Sequence, residues 1–133
     1  MIDRPVLFDQ DAPDHVADFG APFTKLWSTN DRVHWSERSR MTKLWREGVA
    51  WEAKRQRLRW TVQRRPAYVE VHLPVPDRRR RDPSNYVGTI VKAIVDGLVD
   101  GGLWPDDHPA FVQVAEPVLV PKAATFQVHF YWR

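Results

Sequence analysis

Cysteine is absent from the chain. That excludes disulfides, zinc–thiolate sites and thiol catalysis, and it fits a reducing cytosol. No apolar run approaches the roughly 18–20 residues of a membrane span, and the first residues lack a signal-peptide pattern. A soluble, cytoplasmic protein without a membrane partner is the expectation. Repeats, low-complexity tracts and internal domain boundaries are missing too. What remains is 133 residues with 43% hydrophobic and 28% charged content, the make-up of one globular domain with a real core.

The net charge of +3 hides an asymmetry. Residues 1–22 carry five aspartates and one arginine, whereas residues 31–65 carry eleven Lys/Arg against four Asp/Glu. Residues 82–133 turn acidic again, with six acidic and three basic side chains. A basic middle beside an acidic end has the form of a phosphate-facing surface flanking a carboxylate site. An Arg-rich solvated face has the same signature.

Residues 1–22, with three prolines and little apolar periodicity, read as an irregular acidic N-terminal arm. Residues 22–28 are rich in β-formers and predict a first strand. Residues 39–58 turn helical, with Ser39 as N-cap and Met41, Leu44, Trp45, Gly48 and Trp51 along one side. Lys43, Arg46, Glu47, Lys54 and Arg57 fall on the other. Residues 67–75 alternate, Val69, Val71, Leu73 and Val75 pointing one way and Tyr68, Glu70 and His72 the other. A second helix follows to residue 100, with Ile90, Val91, Ile94, Val95 and Leu98 buried and Gly101–Gly102 as its stop. Residues 111–120 and 125–132 read as strands. The order β-α-β-α-β-β predicts a single α/β (α+β) domain, a mixed sheet covered by two main helices.

Residues 77–107 hold the chemistry. They read D-R-R-R-R-D-P-S-N, then the helical run with one lysine, then W-P-D-D after the glycines. Asp82, Asp106 and Asp107 are candidate ligands of a hard metal ion, since magnesium needs few carboxylates and keeps several waters. Aspartate pairs also serve ordinary turns. Arg78, Arg79, Arg80 and Arg81 present guanidinium forks that match phosphate oxygens. Asn85 suits capping the helix or orienting Asp82. Lys92 sits among mostly apolar positions, where it can hold a phosphate or pair with Asp96 one turn on. A helix of 12–15 residues spans about 18–22 Å, so Asp82 and Asp106 meet only if residues 101–105 return along it or a second subunit completes the site. Trp35, Trp60 and Trp104 are candidates for a subunit interface or for stacking on unpaired bases.

The stretch D-R-R-R-R-D-P-S-N…V-K-A-I-V-D-G-L-V-D-G-G-L-W-P-D-D is similar to the RusA family of Holliday-junction resolvases. That family's core runs R-R-D-x-D-N, then K-x-x-x-D-A-L, then G-x-x-x-D-D. Upstream, T-N-D-R-V-H-W-S-E-R-S-R resembles the family's N-x-R segment and basic helix, so the likeness covers roughly residues 27–120. It implies a RusA-like domain over residues 23–133, of the type carried by phages and prophages and working in the host cytoplasm. It implies a homodimeric, Mg²⁺-dependent endonuclease, with Mn²⁺ as a substitute, that nicks branched DNA symmetrically in recombination and repair. Matched by position, Asp82 falls on the first catalytic aspartate, Lys92 on the essential lysine, Asp107 on the last aspartate, and Asp106 on its acidic neighbour. Asn30, Arg32, the four arginines and Asn85 become the expected DNA contacts. Two departures stand out: Ser84 replaces the second catalytic aspartate, and the interval from Asn85 to Lys92 is about four residues longer, around 86–89. Either Asp106 or Asp77 makes up the lost charge, or the chain binds junctions without cutting them.

Overall fold

The computed structural model describes residues 12–20 and 34–133. The strand expected at 22–28 and the DNA contacts expected at Asn30 and Arg32 lie outside the described residues.

The fold is the expected single α+β domain, a mixed five-stranded sheet with its helices on one face. Strand β2 (Ala67–Val75) is central and β5 (Phe126–Trp132) pairs with it antiparallel, Glu70 opposite His129 and Val71 opposite Val128. On the other edge of β2 run two short parallel strands, β3 (Val112–Val114) against its start and β4 (Val118–Pro121) against its end. These replace the single strand expected over 111–120. Pro117 supplies no backbone N–H, so the ladder breaks there while Ala115 N still donates to Val69 O at 2.9 Å.

Strand β1 (His15–Phe19) pairs antiparallel with β5. Within the expected irregular arm, His15–Phe19 is thus ordered on the body as a strand. Ala17 and Phe19 alternate into the core, and Phe19 stacks on Phe126 at 4.8 Å. Two of the arm's aspartates bind the body: Asp14 Oδ2 accepts from Trp132 N at 2.7 Å, and Asp18 Oδ1 accepts from the Thr125 hydroxyl.

Helix α1 (Trp35–Arg55) starts four residues before the expected Ser39, capped by His34, whose Nδ1 accepts from Ser36 N at 3.3 Å. Its buried side is Met41, Trp45, Val49, Ala50 and Ala53. Leu44 and Trp51, expected in the core, are 58% and 64% exposed. A short α2 (Leu58–Val62) follows, entered through Arg57 in the left-handed region.

The second main helix is compound: a 3-10 turn Pro83–Tyr86, a wide π turn Val87–Val91, then α3 (Lys92–Asp100). The residues that the resemblance counts as extra, 86–89, span the junction of the 3-10 and π turns. They are wound into the helix, not looped out. Ile90, Val91, Ile94, Val95 and Leu98 are buried as expected, against Val69, Val71 and Leu73 of the sheet and the core face of α1. The helices approach closely at Gly97, where a Cβ would stand 2.7 Å from Arg46 O. Gly102, with φ +91°, then turns the chain.

Candidate functional site

The arginine run forms a tight turn at the end of β2. Asp77 organises it, accepting from Arg79 N at 2.9 Å and pairing with Arg81 at 2.9 Å. Arg81 folds back further, donating to the carbonyls of Asp77 and Arg79, and its side chain is only 11% exposed. Arg78, Arg79 and Arg80 are exposed. Four arginines in a row therefore divide into one structural clasp and three outward forks. Arg78, Arg79 and Arg81 border a hollow of about 520 Å³ against Pro117 and Leu119.

Asp82 directly follows and is the N-cap of the compound helix. Its Oδ1 accepts from Ser84 N at 3.0 Å and from the Ser84 hydroxyl at 2.8 Å. Those two bonds, the hydroxyl's first, hold the Asp82 carboxyl below its ordinary pKa. Ser84 thus fixes Asp82 and keeps it ionised. Asn85 binds through its backbone N–H to Asp82 O at 3.1 Å.

Lys92 begins α3. Its ammonium donates to Asp107 Oδ2 at 2.6 Å and to Asp96 Oδ1 at 2.9 Å. The Asp96 contact is the helical i+4 pair visible in sequence; the Asp107 contact shows that the chain doubles back. From Asp100 to Lys92 is about 12 Å of helix at 1.5 Å per residue, and residues 101–107 retrace it. Leu103 N bonds to Leu98 O at 3.2 Å and buried Trp104 donates Nε1–H to Arg65 O at 2.9 Å, anchoring the return. Trp104 is therefore core, whereas Trp35 and Trp60 are 74% and 63% exposed. The two carboxylates raise the Lys92 pKa, Asp107 most, and Lys92 in turn lowers that of Asp107. From Asp96 the charges run on to Arg46, at 4.0 Å, which grips Asp100 with bonds of 2.6 and 3.0 Å. Arg46 thereby ties α1 to α3. Beside Lys92 and Asp107 lies a mostly apolar hollow of about 320 Å³, lined by Val87, Val91, Val95 and Val112.

The expected metal ligands are not gathered. Asp106 is occupied in a turn, its Oδ1 accepting from His108 N at 2.7 Å. Among the described residues, the trio of His, Asp or Glu side chains whose ligand atoms all lie within 4.8 Å is Glu70, His72 and His129, not Asp82, Asp106 and Asp107. Sequence shows Glu70 and His72 on one face of β2, two residues apart; nothing in it says that β5 lies alongside and brings His129 opposite.

Compared with known families and with curated proteins, the chain matches no family model and no curated sequence, so its function rests on its own residues.

Proposed function

We propose that the chain is a RusA-like, magnesium-dependent endonuclease that resolves four-way DNA junctions by paired nicks, working as a homodimer because symmetric cuts need two sites. One observation carries the reading: Lys92 is bound by Asp107 and Asp96 on the very helix that Asp82 caps and the arginine turn precedes. Positive forks, an ionised carboxylate and a charged lysine then follow one another along the turn and the helix that it leads into.

Asp82, Asp106 and Asp107 would hold Mg²⁺. The donors fit in chemistry, being hard oxygens of exposed carboxylates, with Asp82 and Asp107 held ionised. Their ligand atoms do not lie together within 4.8 Å, so an ion held by them would keep several waters between itself and the protein. When bound, such an ion polarises the scissile phosphate and lowers the pKa of the attacking water. The chain's own residues do the rest. Arg78, Arg79 and Arg80 seat the phosphodiester. Ser84 keeps Asp82 in one orientation. Lys92, released from Asp107 as a phosphate arrives, donates to the leaving oxygen, where a charged donor is worth about 100-fold or more in rate.

The test is a labelled four-way junction incubated with and without Mg²⁺, alongside Asp82→Asn and Asp107→Asn. Metal-dependent nicks at symmetric positions, lost in both variants while the junction is still retarded, are the expected result. Wild-type cutting by either variant would refute the site. The dispersed carboxylates and Ser84 favour a second reading, a non-catalytic protein that binds branched DNA. Its signature is retardation without nicks in Mg²⁺ or Mn²⁺.

A further inference from the structure

On the sheet face turned away from the helices, Glu70 and His72 of β2 meet His129 of β5. The face is fixed by alternation: Val69, Val71, Val128 and Phe130 point into the helical core, so residues 70, 72 and 129 point the other way. Register places Glu70 directly opposite His129 and His72 opposite Gln127. The carboxylate and imidazole of Glu70 and His72 are in contact at 2.8 Å and only 26% and 21% exposed. The two imidazole rings lie 3.8 Å apart, tilted by 10°. His129 Nε2 is 3.0 Å from Gln127 Oε1.

We infer that Glu70, His72 and His129 form a binding site for a divalent transition-metal ion of the zinc class, separate from the carboxylates of the helical layer. Two imidazoles and one carboxylate are the ligands of zinc, whereas magnesium takes oxygen almost alone. The three ligand atoms already lie within 4.8 Å of one another, and a tetrahedral ion at about 2.0–2.1 Å from each draws them in by side-chain rotation alone. Adjacent hydrogen-bonded strands hold the Cα positions, so little backbone order has to be gained on binding.

The stacked rings set a geometric condition. An imidazole lone pair lies in the ring plane, and two nearly parallel rings cannot both aim at one ion. Binding must therefore rotate one ring out of the stack. Gln127 is positioned to receive the N–H of a ligating histidine as the outer partner that fixes its tautomer. Three protein ligands leave a fourth position for water, the open arrangement of zinc sites that bind a further group.

The test is titration of the untagged, chelator-treated full chain with Co²⁺, read in the visible spectrum, and with Zn²⁺, read by calorimetry. One equivalent is expected to bind, with the intense absorption of a four-coordinate cobalt site, and millimolar Mg²⁺ should not displace it. His72→Gln and His129→Gln should each weaken binding by 10-fold or more, with folding checked by circular dichroism. Unchanged stoichiometry and affinity in the double variant would overturn the proposal. So would a signal that follows His108→Gln instead. The result is independent of junction cleavage, so either inference can fail alone.

Discussion

Ser84 is the residue on which the candidate site turns. Its hydroxyl and N–H both bind Asp82 Oδ1, so it fixes that carboxylate in one orientation. Ser84→Ala removes the hydroxyl bond, and the Asp82 pKa is expected to rise toward its ordinary value in a carboxyl-detected NMR titration. An unmoved pKa would mean that the hydroxyl bond is not formed in solution. For Lys92 and Asp107 the signs run oppositely. Asp107, with a depressed pKa, contributes stability that is present above its ordinary 3.8 and lost as pH falls through the folded value. Lys92, with a raised pKa, contributes what is complete below 10.5 and lost only as pH climbs through its folded value. The pair is thus intact across the neutral range. Both partners are about half exposed, so Lys92→Met should cost under about 1 kcal/mol of stability while cutting nicking by about 100-fold or more. A variant that unfolds, or one that cuts normally, would remove Lys92 from the site. In sequence the Asp96 partner was legible because a helix puts i and i+4 together. The Asp107 partner was not, since it depends on a chain reversal fixed by a tryptophan hydrogen bond to Arg65 O, 39 residues away.

At the scale of elements, strongly periodic segments were readable and weakly periodic ones were not. Strand β2 declared its buried face through the alternation of Val69, Val71, Leu73 and Val75, and the helix ending at Asp100 through aliphatic residues at helical spacing. Helix α1 did not. Its apolar residues include Leu44 and Trp51 on the solvent side, and an i+3/i+4 count could not tell which stripe faced the sheet. Strand β1 has two core residues among aspartates, too few for period-two alternation to register. The α1–α3 contact offers a direct check on the packing. At Gly97 an added methyl meets Arg46 O and Val49 Cβ, both at 2.7 Å, and neither belongs to a flexible side-chain end. Gly97→Ala should destabilise the protein by about 1–3 kcal/mol in urea unfolding. Gly88→Ala, with nothing within 4 Å of the new methyl, should instead be neutral or stabilising by up to about 1 kcal/mol. Equal effects at the two positions would contradict the helix pairing.

For the whole molecule the charge pattern looks different once partners are assigned. The basic middle is less available than its count suggests: Arg46 is bound to Asp100, Arg55 to Glu52, and Lys43 lies 3.8 Å from Glu47. Two aspartates of the acidic arm, conversely, bind the body, Asp14 to Trp132 N in β5 and Asp18 to the Thr125 hydroxyl just before it. What stays outward at the site is the trio Arg78, Arg79 and Arg80, while Arg81 closes its own turn. Each arginine that neutralises a phosphate releases counterions, and the slope of log affinity against log salt steepens by about 0.9 per contact on duplex DNA. Replacing Arg78, Arg79 and Arg80 together by glutamine should therefore flatten that slope for a four-way junction by about 2–3, and weaken binding most at low salt. Arg81→Gln should leave the slope nearly unchanged and loosen the turn instead, seen as faster amide exchange at Arg79, whose N–H the same aspartate holds. If the triple variant keeps the wild-type slope, the phosphate-facing surface lies elsewhere on the molecule. The arginine turn is then a solvated cap on the end of β2, and Lys92 loses the neighbour that would deliver its substrate.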